Sequence, residues 1–223
     1  MNNSVVGQLI RKDWRLHRIQ IFASIFAGAA ALAIVQLGTV SAVVLGAVWF
    51  FIALILVGTF LPIGIVNERK KQNMAFLMSL PISSIQYTTS KLLSSTGMFL
   101  VPWLTLVIAA LLSIEVRGTF PHGVIPMIII LALMPFVGFC IITAASLMGE
   151  SEGWGIAANI ACSSSYGLAY YFLSRVPAVM AHNSSPVAVW NSTTLKILGT
   201  ELALIPLLLG VTYFVQSRKR DFI

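Results

Sequence analysis

Residues 40–62 read VSAVVLGAVWFFIALILVGTFLP, an unbroken run with no charged side chain. A helix needs about 20 mostly apolar residues to cross the hydrocarbon core of a bilayer, and this run supplies them in one piece. Working outward, residues 19–36, 92–114, 124–147, 154–173 and 195–215 have the same character. Only 9% of the 223 residues are charged, against roughly 25% in soluble domains. The pattern predicts an all-α polytopic membrane protein with six transmembrane helices in a single domain, 1–223. No length is left for a soluble domain of ordinary size. Leu37-Gly38-Thr39 predicts a tight turn that makes the first two spans a hairpin.

The charges fix an orientation. With both termini in the cytoplasm, that side holds Arg11, Lys12, Arg15, Arg18, Arg69, Lys70, Lys71, Lys91, Arg218, Lys219 and Arg220, and the outside holds Arg117, Arg175 and Lys196. That bias follows the positive-inside rule. Beside membrane spans, such clusters read as topology and lipid-headgroup contacts rather than as a nucleic-acid surface. Ala31-Leu32-Ala33 has the look of a cleavage site, but the long basic region before it and the spans after it argue against a cleaved signal peptide.

Residues 4–18 read as an amphipathic helix in the membrane surface. Val5, Val6, Leu9, Ile10, Trp14 and Leu16 share about half the helical wheel, with Gln8, Arg11, Arg15 and Arg18 opposite. Arg11, Lys12, Arg15 and Arg18 would meet anionic lipid, and Trp14 the interface. Asp13 falls inside the apolar arc, where it can pair with His17 four residues on.

The stretch 67–91, NERKKQNMAFLMSLPISSIQYTTSK, joins the second and third spans. Met74, Leu77 and Met78 stand at i, i+3, i+4, and Phe76 with Leu80 at i, i+4. The spacing predicts a short helix that is apolar over most of its circumference, stopped by Pro81. Ser83-Ser84 then caps a helix running into the third span. Methionine-rich apolar surface suits docking into a groove of another protein.

This order (a span, a Glu-Arg-Lys cluster, a short apolar helix ending Ser-Leu-Pro-Ile-Ser, and a Lys entering the next span) resembles the permease subunits of type-2 ABC transporters. Leu9-Ile10-Arg11-Lys12-Asp13 is similar to that family's amphipathic first helix. The layout with both ends inside and the basic tail 217–223 extend the likeness over nearly the whole chain. The resemblance implies a bacterial inner-membrane permease, mostly of exporting type. It implies a separate ABC ATPase docked on a coupling helix, and a second permease chain, identical or different. Glu68, Arg69 and Lys70 would begin the coupling element, with Met74, Phe76, Leu77, Leu80 and Pro81 forming it. Glu150 and Glu152 would make a second cytoplasmic contact. Ser84 departs from the family pattern, in which a basic residue often follows Pro-Ile-Ser.

The sequence holds no G-x-x-x-x-G-K-[ST] phosphate loop, so if ATP drives the protein, as the resemblance implies, ATP and magnesium are expected in the partner ATPase and no cofactor in this chain. Gly149-Glu150-Ser151-Glu152-Gly153 fits G-x-S-x-G, but that chemistry needs a strand-turn-helix elbow, and the context here is a loop between helices. Cys140 and Cys162 lack metal-ligand spacing. No enzyme activity is expected. Glu201 is the acidic residue expected inside a span, so it either lines a pathway, finds a partner or reaches the interface. Small residues recur at packing distance in Ala23, Ala27 and Ala31, and in Ala157, Ala161 and Ser165, for packing within the chain or between two chains. Asn183-Ser184-Ser185 and Asn191-Ser192-Thr193 are glycosylation-like patterns in an outer loop. The rival readings are a membrane-embedded substrate-binding subunit of an ATP-driven importer and a small secondary transporter.

Overall fold

The computed structural model describes residues 3–70, 84–118, 120–149 and 152–218. Among these residues the chain is helical throughout, without strands. The order is α1 (Asn3–Val35), α2 (Val40–Lys70), α3 (Ser84–Arg117), a 3-10 turn (His122–Val124), α4 (Ile125–Met148), α5 (Glu152–Leu173), the short α6 (Pro177–Met180) and α7 (Ser192–Arg218). Five segments are long and apolar enough to cross a membrane: Val6–Val35, Val40–Pro62, Ile85–Arg117, His122–Met148 and Ser192–Arg218. Helix α5 has 22 residues, about 33 Å at 1.5 Å per residue. Its length suffices, but Asn159, Ser163, Ser164, Ser165 and Gly167 dilute its apolar character, and it is not among the five.

The hairpin turn forms as the sequence predicts. Gly38 takes φ +73, the left-handed conformation that ends α1 without a Cβ clash. Thr39 caps α2: its Oγ1 accepts from Ala42 N at 3.3 Å and its carbonyl from Val43 N at 2.9 Å.

Helix α1 differs from expectation. The surface helix 4–18 and the span 19–36 form one helix of 33 residues with no break at Arg18. That is about 50 Å of helix against a hydrocarbon core of about 30 Å. Nothing between Arg15 and Phe22 breaks a helix, since neither Gly nor Pro occurs there. Arg11, Lys12, Arg15 and Arg18 are exposed as expected, but so is Leu16, and the buried arc centres on Asp13, Trp14, His17 and Ile21 instead.

Helix α4 is the hub, packed by α2, α3, α5 and α7, while α1 lies on α2 and α3. The main core joins Ile21, Val57, Leu61, Met98, Phe99, Leu133, Phe136 and Phe139. Phe99 and Phe139 stack at 4.5 Å, and Trp103 meets Phe136 at 5.3 Å, separations at which aromatic pairs attract beyond their buried area. Pro62, Pro102, Pro135 and Pro206 sit inside helices. Pro135 leaves the Leu131 carbonyl without its helical donor. One residue along, Trp103 Nε1 donates to the Ala132 carbonyl at 2.7 Å, so α3 supplies a polar contact where α4 is broken. The outward surface is mostly apolar, with Phe22, Phe26, Val48, Leu104, Leu112, Leu202 and Leu207 exposed. This is the distribution that suits a hydrocarbon solvent.

Candidate functional site

One turn of α1 gathers the polar chemistry of the bundle. Lys91 Nζ on α3 donates to both carboxylate oxygens of Asp13, at 3.1 Å and 3.0 Å. Ser94 Oγ, one turn further along α3, donates to Asp13 Oδ2 at 3.0 Å. The Asp13 and Lys91 side chains are 4% and 6% exposed, so the pair is removed from solvent. The Lys91 ammonium also lies 5.9 Å from the Tyr87 ring centroid. Thr88, Ser90 and Ser95 are buried beside it on the same stretch of α3.

The sequence expectation for Asp13 is corrected here. Its carboxylate pairs with Lys91 and Ser94 rather than with His17. The His17 ring instead bonds, through Nδ1, the backbone carbonyl of Asp13 at 3.0 Å. The i+4 geometry does bring the ring back over residue 13, but the carboxylate points to α3. Lys91, expected as a cytoplasmic-side charge at the entry to the third span, is buried as the counterion of Asp13. A buried pair of this kind adds little net stability, whereas removing one member costs about 3–5 kcal/mol because the other charge stays buried.

The same turn is gripped from two sides. The Trp14 ring lies over Gly97 of α3, and the His17 ring lies against Gly64 of α2. Gly64 is three residues before Asn67, and Lys91 closes the 67–91 stretch. The contact from α2 thus lies three residues before that stretch and the contact from α3 at its last residue, and both fall on residues 13–17 of α1.

Of the expected coupling residues, Glu68, Arg69 and Lys70 extend α2 as its last turn, and the next helix begins at Ser84. Met74, Phe76, Leu77, Leu80 and Pro81 lie outside the described residues, as does Glu150, while Glu152 is the first residue of α5.

Glu201 is largely buried and has no hydrogen-bond partner among the described residues. It is 9% exposed, and its Oε2 is buried without a hydrogen bond. It shares the inward face of α7 with Leu198, Ile205 and Leu208, which pack on the main core. That face also carries the buried Thr194, Thr212 and Gln216, and Gln216 Nε2 donates to the Leu147 carbonyl of α4.

An apolar groove of about 260 Å³ runs between α1 and α2, lined by Gln20, Ser24, Ala27, Ala53, Val57 and Leu61 among others. It is separate from Glu201, which does not line it. The two small-residue stripes behave differently. The first runs from exposed Ala23 through half-buried Ala27 to fully buried Ala31, whereas Ala157, Ala161 and Ser165 all face outward on α5, next to the exposed Ser163 and Ser164. Asn191, in a glycosylation-like pattern, caps α7: its Oδ1 accepts from Thr194 N at 2.8 Å and its Nδ2 donates to the Ala178 carbonyl. Among the described residues no group of His, Cys, Asp and Glu is arranged to hold a metal.

Compared with models of protein families, with curated proteins and with solved structures, the chain matches none.

Proposed function

We propose that this chain is the membrane-spanning permease subunit of a type-2 ABC transporter in a bacterial cytoplasmic membrane. In this reading it is an exporter driven by a separate ATPase that docks on residues 67–81. The chain crosses the bilayer six times with both termini inside, α5 joining the five longer apolar segments as the fifth crossing in chain order, and a second permease chain completes the pathway. ATP and magnesium bind the ATPase, and the coupling element passes its closure to the spans. A ligand shifts such a state only by its differential affinity for the two conformations, and the ATPase contact is where that difference enters.

The observation that carries the reading is the frame around residues 67–91. The residues whose order resembles the coupling element are flanked by α2 and α3, and both helices touch residues 13–17 of α1 nearby, through Gly64 three residues before the stretch and Lys91 at its last residue. A docking force on this element would reach three helices at once. The outward small and polar face of α5 supports a second chain, because hydroxyls facing lipid are poorly solvated while small residues allow close helix contact.

The test is co-purification of the chain, as wild type and as Leu77→Asp, with an ABC ATPase subunit expressed from the same source. The reading expects wild type to retain the ATPase and the variant to lose it while keeping its fold. Equal retention by a folded variant would remove the coupling-helix assignment.

A further inference from the structure

We propose that Met127 and Met180, with the Asn183 amide between them, form a binding site for a soft monovalent cation of the copper(I) class at the end of the bundle opposite Asp13. This goes beyond the permease reading and does not rest on it.

The site is built where the turn 182–185 closes over the start of α4. Gly123 N donates to the Ser185 carbonyl at 2.9 Å, and the His182 carbonyl stands where any Cβ at Gly123 would clash with it. This joint sets a side chain of α4 and one of α6 against the same amide. Asn183 Nδ2 lies 3.4 Å from Met127 Sδ and 3.3 Å from Met180 Sδ. Met127 is buried in a cluster with Ile130, Leu131, Leu173 and Val179. Met180 is 38% exposed, so one sulfur is anchored and the other is open to an arriving ion.

The amide is poorly served by this arrangement. A thioether is a weak acceptor, so two of them give its N–H groups little. Its Oδ1 is buried and has no hydrogen-bond partner among the described residues. A cation held between the sulfurs answers both defects. Turning the amide about its Cβ–Cγ bond exchanges two atoms of similar size and brings Oδ1 to face the ion beside the two sulfurs. Metal–sulfur bonds run about 2.3 Å, so each sulfur has to move in by about 1 Å. Methionine is unbranched and has three rotatable bonds, which allow that. His182, the residue before Asn183, is half-buried at the same joint and offers an imidazole.

The donor types choose the ion. Thioether and imidazole suit copper(I), whereas magnesium and calcium ask for several oxygens. The apolar cluster behind Met127 keeps water from one side of the site, which disfavours an ion that holds its hydration shell. The grouping is one of methionine sulfurs, and so differs from the clustered His, Cys, Asp and Glu of harder metal sites.

The experiment is copper(I) titration of the full chain in detergent against a colorimetric copper(I) chelator, without an affinity tag and in a Cys140→Ala, Cys162→Ala background. The chain is expected to take one copper(I). Met127→Leu and Met180→Leu are each expected to weaken binding at least about tenfold. Leu is close to Met in volume, so both variants should keep the fold. X-ray absorption at the copper edge, on the chain with both methionines in place, is expected to show two sulfur neighbours and needs no site variant. The proposal is overturned if the chain takes no copper(I) from the chelator, if the Met127→Leu, Met180→Leu double variant binds as tightly, or if absorption shows nitrogen and oxygen neighbours alone. No ATPase enters the measurement, so its failure and the failure of the permease reading are separate results.

Discussion

Replacing Asp13 by Leu should be among the most damaging single changes in the chain, and replacing Lys91 by Met at the same time should repair most of the damage. Leu keeps the branching of Asp at Cγ, though it is larger, and it suits the apolar arc around it, so the charge is the main thing removed. The Lys91 side chain is 6% exposed, and replacing Asp13 takes away the carboxylate that accepts two hydrogen bonds from its ammonium. Removing one member of a buried pair costs about 3–5 kcal/mol, whereas replacing both with apolar groups is often neutral or stabilising by about 1–4 kcal/mol. At about 2–4 °C per kcal/mol for a chain of this size, the single variant should melt roughly 6–20 °C below wild type. The double variant should return to within a few degrees of wild type.

The assay is built into the molecule. Cys140 and Cys162 are unpaired thiols, 1% and 7% exposed, so a thiol-reactive fluorophore reports unfolding as the detergent-solubilised protein is heated. The double-mutant cycle isolates the pair from general packing loss. Two results would refute the reasoning. Asp13→Leu could melt within the shift expected for about 1 kcal/mol, which would mean the carboxylate is solvated rather than buried. Or the double variant could melt as low as the two single losses added, which would mean each residue acts alone.

Three more outcomes follow from the packing. Gly28→Val should cost about 1–3 kcal/mol in the same melt, because its Cβ meets Leu106 at 2.3 Å and α1 must lift from α3. Glu201→Leu should melt at or above the wild-type temperature, by up to about 1–3 kcal/mol, since it removes a buried acceptor that lacks a donor; a lower melt would show that the carboxylate has a partner. Ala161→Leu with Ser164→Leu should weaken chain pairing about tenfold or more in crosslinking across a detergent dilution series, as a filled small-residue seam loses about 1–2 kcal/mol.

Much of the architecture was legible because a bilayer leaves so few solutions. Apolar runs of span length and the Gly38-Thr39 turn announced the helices and the first hairpin. The α5 segment is the weaker case, since its serines and Asn159 pull it below the apolarity of the others. The ion pair was legible only as an anomaly. Asp13 stood inside an apolar arc, and a helical wheel places a residue on a face without saying what that face meets. Its partner Lys91 is 78 positions away, and the charge bias places it on the inner side without naming a partner. A lone carboxylate on the apolar side of a helix, with an unmatched Lys among Ser and Thr at the start of another span, is the signal that would have joined them. The continuity of α1 through Arg18 has the same cause. Once Asp13, Trp14 and His17 are held by α3 and α2, the first turns stand in line with the span instead of lying flat.

The side chains of α5 argue for a partner more directly than the family likeness does. On α7 the polar residues Thr194, Glu201, Thr212 and Gln216 turn inward, while Leu195, Leu202, Leu207 and Phe214 face out. That is the arrangement a lipid-facing helix requires, because burying the polar atoms in protein is less costly than offering them to hydrocarbon. Where isolated hydroxyls do face outward elsewhere, as at Thr105 and Thr200, each bonds a carbonyl one turn back, at 2.7 Å and 2.8 Å. Helix α5 reverses the arrangement at its midpoint. Ser163 turns onto Asn159 Oδ1 at 3.2 Å and Ser165 onto the Cys162 carbonyl at 2.7 Å, but Ser164 stands exposed between them without a partner among the described residues. Ala157 and Ala161 lie open on the same helix. A helix meant for lipid gains from Leu at these places, and one meant for another helix gains from Ala and Ser. The direction of the Ala161→Leu, Ser164→Leu result therefore decides the matter: stronger detergent-resistant monomers mean a lipid face, and lost crosslinking in a folded chain means a seam.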